Sequence, residues 1–197
     1  RIAEDFAPFD IDITTEEPAT LTSTTGRLLI TRNSDLNGKA MPYSGSGGVA
    51  YVGVWGRSNF ASYYSPALVY YNNLGSANYI SEAASHEAGH NLNLGHDGSS
   101  TSSYYGGHGA GYTSWAPVMG VGYYNNVTQW SKGEYSGANN TQDDMAIIAS
   151  RLAYRSDDHS ASTSSATELV IDADGSVNVS NPQTDPANTI SGNKGII

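Results

Sequence analysis

Residues 86–97 read His86-Glu87-Ala88-Gly89-His90-Asn91-Leu92-Asn93-Leu94-Gly95-His96-Asp97. Four residues make just over one turn of α-helix, so His86 and His90 fall one above the other on a single face, where both imidazoles can reach one ion. Glu87 lies about 100° further round the helix, close enough to act on a water at that ion without being a ligand. A continuing helix would carry His96 away along its axis. The helix must therefore end and the chain reverse between His90 and His96, and Asn93 and Gly95 are the residues there that tolerate a left-handed conformation. Asn93 is expected at positive φ, as the end of the helix. Three neutral imidazoles leave one of four tetrahedral positions open, which is the pattern of catalytic rather than structural zinc. In that pattern the open position holds a water whose pKa falls to about 7. Glu87 is then the general base toward that water, and passes the proton on to a leaving amine.

H-E-x-x-H alone is short enough to arise by chance. The third histidine at its offset, the helix-ending residue and a downstream Met119 make the pattern specific. HEAGHNLNLGHD resembles the metzincin zinc endopeptidases, and H-E-x-x-H-N-L-x-x-x-H-D is closest to their reprolysin (adamalysin-like) branch, which has Gly where this chain has Asn93. The resemblance implies an α/β zincin fold: a twisted, mostly parallel sheet, a zinc-bearing active-site helix, and a small irregular C-terminal subdomain ending in a helix. It implies His86, His90 and His96 as zinc ligands, Glu87 as the catalytic residue and a structural role for Asp97 beside the site. Trp115-Ala116-Pro117-Val118-Met119-Gly120 resembles the metzincin Met-turn, with Met119 as a soft apolar floor beneath the metal. Some metzincins use a tyrosine just past that Met. Tyr123 and Tyr124 stand further on than that pattern, so neither is assigned. Residues Val121 to Thr128 are the candidates for shaping the pocket that takes the substrate residue following the cut.

The chain has 197 residues, one domain's worth with room for an appendage. Its formal net charge is -10 with nine Lys plus Arg, so a nucleic-acid footprint and a polybasic membrane patch are both absent. There are no cysteines, which excludes disulfides, thiolate metal sites and a Cys nucleophile. Vertebrate reprolysins are Cys-rich, so the resemblance points to a bacterial or archaeal relative. Abundant Gly (22) and Tyr (14) suit an exported protein with long polar loops. No apolar run is long enough to span a membrane. The chain opens on Arg1, which reads as a processed form of a longer precursor.

Residues 1–8 read as the end of a helix before Pro8. AEDFAPFDIDITTEEP resembles a segment that a strand and most of a helix precede in bacterial reprolysin-like peptidases, so the catalytic domain is expected to lack its first strand. Strands are expected at Phe9–Thr14, Arg27–Arg32, Gly48–Trp55 and Ala67–Tyr71. GVAYVG resembles the metzincin strand at the upper rim of the cleft, which pairs with extended substrate; an interior strand needing small residues is the alternative. A turn over Asn72–Ser76 leads into the histidine helix from about Asn78. Ile80, Ala84 and Ala88 fall opposite the histidines and let the helix pack closely on the sheet. His108, in a Gly-rich loop, reads as a loop residue, and Trp130 as a packing anchor. Thr141-Gln142-Asp143-Asp144 resembles a capping box and opens a helix carrying Met145, Ile148, Ala149 and Leu152 on one face.

The expected organisation is a catalytic domain over 1–155, then a linker and tail over 156–197 with a hairpin signal at Asp174-Gly175, the stub of a C-terminal β-domain or an extension packed on the first. The function read from the residues is a secreted zinc endopeptidase acting on protein or peptide substrates. Calcium is compatible with the pairs Asp10/Asp12 and Asp157/Asp158, although no EF-hand spacing exists. Two alternatives stand beside this reading. One is another zinc-peptidase clan, with a downstream Glu134 in place of the third histidine. The other is a secreted binding module with an inert zinc site, or an inactive fragment.

Overall fold

A computed structural model describes residues 1–156 together with Ser162, Ser164, Ala173, Gly195 and Ile196. Asp157, Asp158 and the hairpin signal at Asp174-Gly175 lie outside the described residues.

The architecture is mixed α/β. At its centre β5 (Ala67–Tyr70) pairs in parallel with β3 (Leu28–Thr31), Leu28 opposite Ala67 and Thr31 opposite Tyr70. On its other side β5 pairs antiparallel with the two-residue β4 (Gly48–Val49). A central strand flanked on both sides must be apolar throughout, and Ala67, Val69 and Tyr70 are fully buried. Leu29 and Ile30 on β3 are 48% and 51% exposed. Just before β3, β2 (Thr25–Gly26) pairs in parallel with β8 (Gly195–Ile196), which also pairs in parallel with β1 (Asp12–Ile13). A third small sheet joins β6 (Trp115–Pro117) to β7 (Val127–Gln129).

Three expected elements come out differently. The strand at Phe9–Thr14 contracts to β1. The strand at Gly48–Trp55 contracts to β4, because the amides of Gly53, Val54 and Trp55 turn away from the sheet to bond His90 O and Asn91 O at 2.9–3.1 Å. Those carbonyls lie in the last turn of a helix, where the regular ladder runs out of donors. Gly53, at φ 67, makes the turn. The expected turn after β5 contains a helical turn, α2 (Tyr71–Leu74), closed by Gly75 at φ 77.

The main helix, α3 (Ala77–Asn91), starts one residue before the expected Asn78, because Ser76 caps it by accepting the Tyr79 N–H at 3.2 Å. Its small residues Ala83 and Ala84 pack with Val69 of β5, so helix and sheet lie close. Ala88, expected on the same face as Ile80 and Ala84, belongs instead to the larger core with Phe6, Phe9, Ile11, Trp55, Phe60, Leu92, Leu94, Met119, Ile148 and Leu152. Phe6 and Phe9 follow the short α1 (Ile2–Asp5), and Trp130 meets Phe6 edge-on at 5.2 Å while donating its indole N–H to Asp5 O at 2.6 Å. Ile148 and Leu152 come from α4 (Asp144–Leu152), capped by Asp143, which accepts the Ala146 N–H at 3.0 Å. Beyond α4, Arg155 donates to Phe9 O at 2.9 Å and Ile11 O at 3.2 Å, closing this segment onto the start of the chain.

Asp144 is fully buried and accepts the Ser131 N–H at 3.1 Å. Burial pushes its carboxyl up to about 8, with Asp97, Asp143 and Glu134 adding like charge. The folded protein therefore holds a proton that the unfolded state has released above about pH 4. Stability is fully present below that pH and falls as the pH rises toward 8. The melting temperature is expected to drop between pH 5 and pH 8.5, and Asp144→Asn, which keeps the acceptor for Ser131, is expected to flatten that drop. Thermal melts of both proteins across this range check it.

Candidate metal centre

The histidine helix ends in a defined geometry. The Leu94 N–H bonds Gly89 O at 3.0 Å, the Asn93 N–H bonds His90 O at 2.9 Å, and Asn93 has φ 88. This is a Schellman motif with Asn93 in the left-handed position. It reverses the chain within four residues and returns His96 toward the helix face that carries His86 and His90. One nitrogen from each of the three histidines falls within 4.8 Å of the others. The ring centroids stand 4.8 Å apart for His86 and His90, 4.7 Å for His90 and His96, and 5.2 Å for His86 and His96.

The tautomers of two rings follow from their partners. His86 Nδ1 lies 2.9 Å from Val118 O and His90 Nδ1 lies 2.9 Å from Leu94 O. A carbonyl only accepts, so both Nδ1 atoms carry hydrogen and both Nε2 atoms present lone pairs. His90 Nε2 sits 3.0 Å from His96 Nε2. Tetrahedral zinc with bonds of about 2.0–2.1 Å would set ligand nitrogens about 3.3 Å apart, so the donor set fits such an ion in type, and the His90–His96 pair lies close to that spacing. Burial, then the charge of His90, lowers His86 to about 3, and burial lowers His90 to about 4. His96 is lowered by burial as well. All three imidazoles are thus neutral at neutral pH. Among the described residues this is the group of His, Asp or Glu that could hold a metal.

Glu87 is buried next to this group, and its Oε2 meets no protein donor. Burial pushes its carboxyl up to about 8. The edge strand β4 lies directly against it: a Cβ on Gly48 would come 2.7 Å from Glu87 Oε1 and 2.7 Å from Leu68 O. Glycine is required there by close approach, since any side chain would force strand and carboxylate apart.

Met119 is fully buried beneath α3, in the turn closed by the Gly120 N–H to Pro117 O bond at 3.0 Å. A Cβ on Gly89 would come 2.6 Å from its sulfur, so the helix glycine and the methionine interlock. Asp97 is fully buried; its N–H bonds Met119 O at 2.8 Å and its carbonyl accepts the Tyr105 N–H at 2.7 Å. It thereby ties the third histidine to the methionine turn, while burial, then Glu134, raises its carboxyl to about 6. His108 lies away from the three histidines, paired with Trp115 through two 2.8 Å backbone bonds and with Tyr105 Oη at 3.0 Å. Glu134 caps a turn by accepting the Lys132 N–H at 2.7 Å. Asp10 is buried and Asp12 exposed, so the two face different surroundings.

Two tyrosines also reach this region, Tyr123 from the Val121 to Thr128 segment and Tyr104, which the sequence pattern does not mark. Tyr123 is raised to about 12 by burial, then by Glu87, and a Cβ on Gly47 would come 2.8 Å from its hydroxyl. Tyr104 lies with its ring 4.3 Å from His96. It comes from a Gly, Ser and Tyr-rich loop whose composition marks no residue above its neighbours.

A family described as metallo-peptidase family M12B, reprolysin-like, matches residues 25–97, less than half of the chain. The match runs from β2 to the residue after the third histidine, and so takes in β4, α3 and its reversal. No curated protein and no solved structure matches the chain. The match and the geometry together support a metallopeptidase-like site, with a three-histidine group suited to a metal such as zinc. No helix among the described residues is long and apolar enough to cross a membrane.

Proposed function

We propose that this protein is a secreted zinc-dependent endopeptidase of the bacterial reprolysin-like kind, hydrolysing peptide bonds in protein substrates. The observation that carries the reading is a buried glutamate with an orphaned oxygen beside three convergent neutral imidazoles. His86, His90 and His96 would hold the ion, which when bound supplies Lewis acidity toward a carbonyl and a water. Glu87 takes the proton of the attacking water and hands it to the departing amine. The outer edge of β4 offers backbone groups to an extended substrate. Asn93 sets the reversal, Asp97 braces His96, and Met119 is the floor of a Met-turn. Val121 to Thr128 shape the pocket for the residue after the cut. The catalytic unit is read as 1–155, with 156–197 as linker and tail. Export is supported by the acidic, cysteine-free composition alone, and calcium forms no part of the reading.

Digestion of casein tests it. Cleavage that stops on zinc chelation and returns on zinc addition is expected. An inert protein that still binds one zinc would instead make this a binding module.

A further inference from the structure

Tyr104 stands over the three-histidine group from a loop outside the histidine helix. Its ring centroid is 4.3 Å from that of His96 and 6.1 Å from that of His86, tilted by 39° and 34°. The loop is fastened on both sides of it. Its N–H donates to Ser102 Oγ at 3.3 Å and its carbonyl accepts from the same hydroxyl at 2.8 Å. The next residue, Tyr105, donates its N–H to Asp97 O at 2.7 Å, accepts the Val121 N–H at 3.0 Å and stacks on Tyr135 at 4.0 Å. Asp97 follows His96, and Val121 lies two residues past Met119. The segments that fix the imidazoles therefore fix Tyr104 against them.

The residue is placed but not enclosed, at 41% exposure. Its ring lies over His96 and His86 with part of it open to solvent, and a phenol is a protonated donor at neutral pH. Tyr123 is a poorer candidate, because its hydroxyl is packed against Gly47, just before β4, and its ring is held by Tyr79 at 5.1 Å.

We propose that Tyr104 is a catalytic residue whose hydroxyl donates a hydrogen bond to the scissile carbonyl oxygen as that oxygen gains negative charge. The proposal rests on the peptidase reading above. The water oxygen bonds to the carbonyl carbon, the C=O π pair moves onto oxygen, and Glu87 takes the water proton. Collapse restores the carbonyl, breaks the C–N bond and returns the proton from Glu87 to the amine. Tyr104 keeps its own proton throughout. A donor aimed at developing charge stabilises the transition state more than the ground state, so its loss appears in kcat and not in KM.

The test compares wild type, Tyr104→Phe, Tyr104→Ala and Tyr112→Phe on casein, with zinc affinity measured by chelator competition on each metal-free protein. Tyr112 belongs to the same loop and is 95% exposed, so Tyr112→Phe should match wild type. Tyr104→Phe is expected to lose about 100-fold in kcat, as for one oxyanion donor, with KM and zinc affinity unchanged. Tyr104→Ala should lose at least as much. Tyr104→Phe with wild-type kcat while Tyr104→Ala is impaired would overturn the proposal and leave a packing role. A zinc affinity that falls in Tyr104→Phe would overturn it too, since the hydroxyl would then serve the ion. Failure of the peptidase reading is distinct: wild type itself would bind zinc and cleave nothing, which removes the catalytic role of Tyr104 with it.

Discussion

Glu87→Gln is expected to reduce casein hydrolysis by about 10³-fold, the middle of the range for a positioned general acid–base. Gln has nearly the volume of Glu, so the close approach of Gly48 to Oε1 is kept and β4 need not move. What is lost is the ability to accept a proton. The three imidazoles do not depend on Glu87 for position, since His86 and His90 are held through Nδ1 by Val118 O and Leu94 O. Zinc content should therefore remain at one per protein molecule. The pH profile gives a second check. Burial alone raises Glu87 to about 8, whereas a nearby cation favours the carboxylate and lowers that value. The zinc-loaded enzyme should thus lose activity on the acid side at a pH below 8, and that limb should be missing from the residual rate of Glu87→Gln. Initial rates with parallel zinc analysis decide it. A variant keeping more than about a tenth of the wild-type rate would remove Glu87 from the role that such bases play.

The parts of this fold that were legible are those where local geometry and chemistry coincide. The spacing of His86, His90 and His96 demands a helix and then a reversal, and the reversal comes at Asn93, with φ 88. Helix starts were legible to within a few residues: α3 begins at Ala77 behind Ser76 instead of near Asn78, and α4 begins at Asp144 behind Asp143 instead of behind a capping-box Thr141, while the apolar face of α4 follows its periodicity. Strand lengths were not legible. Gly48 to Trp55 has strand composition, yet the amides from Gly53 onward are claimed by the carbonyls at the end of α3, a long-range competition that no local window contains. The same holds for Tyr104. Nothing in Ser102-Ser103-Tyr104-Tyr105 separates it from the other loop tyrosines, and its place comes from bonds that Tyr105 makes to Asp97 and Val121. The pairing of β8 with both β1 and β2 joins segments too far apart for sequence pattern to connect.

His96→Ala is expected to weaken zinc binding by well over 100-fold, more than the 10–100-fold typical of losing a residue that only supports a ligand. Two imidazoles one turn apart on α3 can still touch an ion, but a two-ligand site leaves it open to water and to chelators. His96 reaches the group only because Asn93 reverses the chain, so no residue nearby in sequence can replace it. Glu134 is the replacement that another zinc-peptidase architecture would use, and it is poorly placed for that. Its Oε2 already accepts the Lys132 N–H at 2.7 Å, holding the carboxylate in its own turn. Glu134→Ala should therefore leave zinc affinity unchanged. Chelator competition on the two variants, with circular dichroism to confirm that each remains folded, separates the possibilities. His96→Ala that binds zinc like wild type, with Glu134→Ala failing to, would move the third ligand to Glu134 and take the reversal at Asn93 out of the metal site altogether. The opposite result would make that reversal the feature on which the site depends, because it alone converts a histidine six residues past His90 into a neighbour of it.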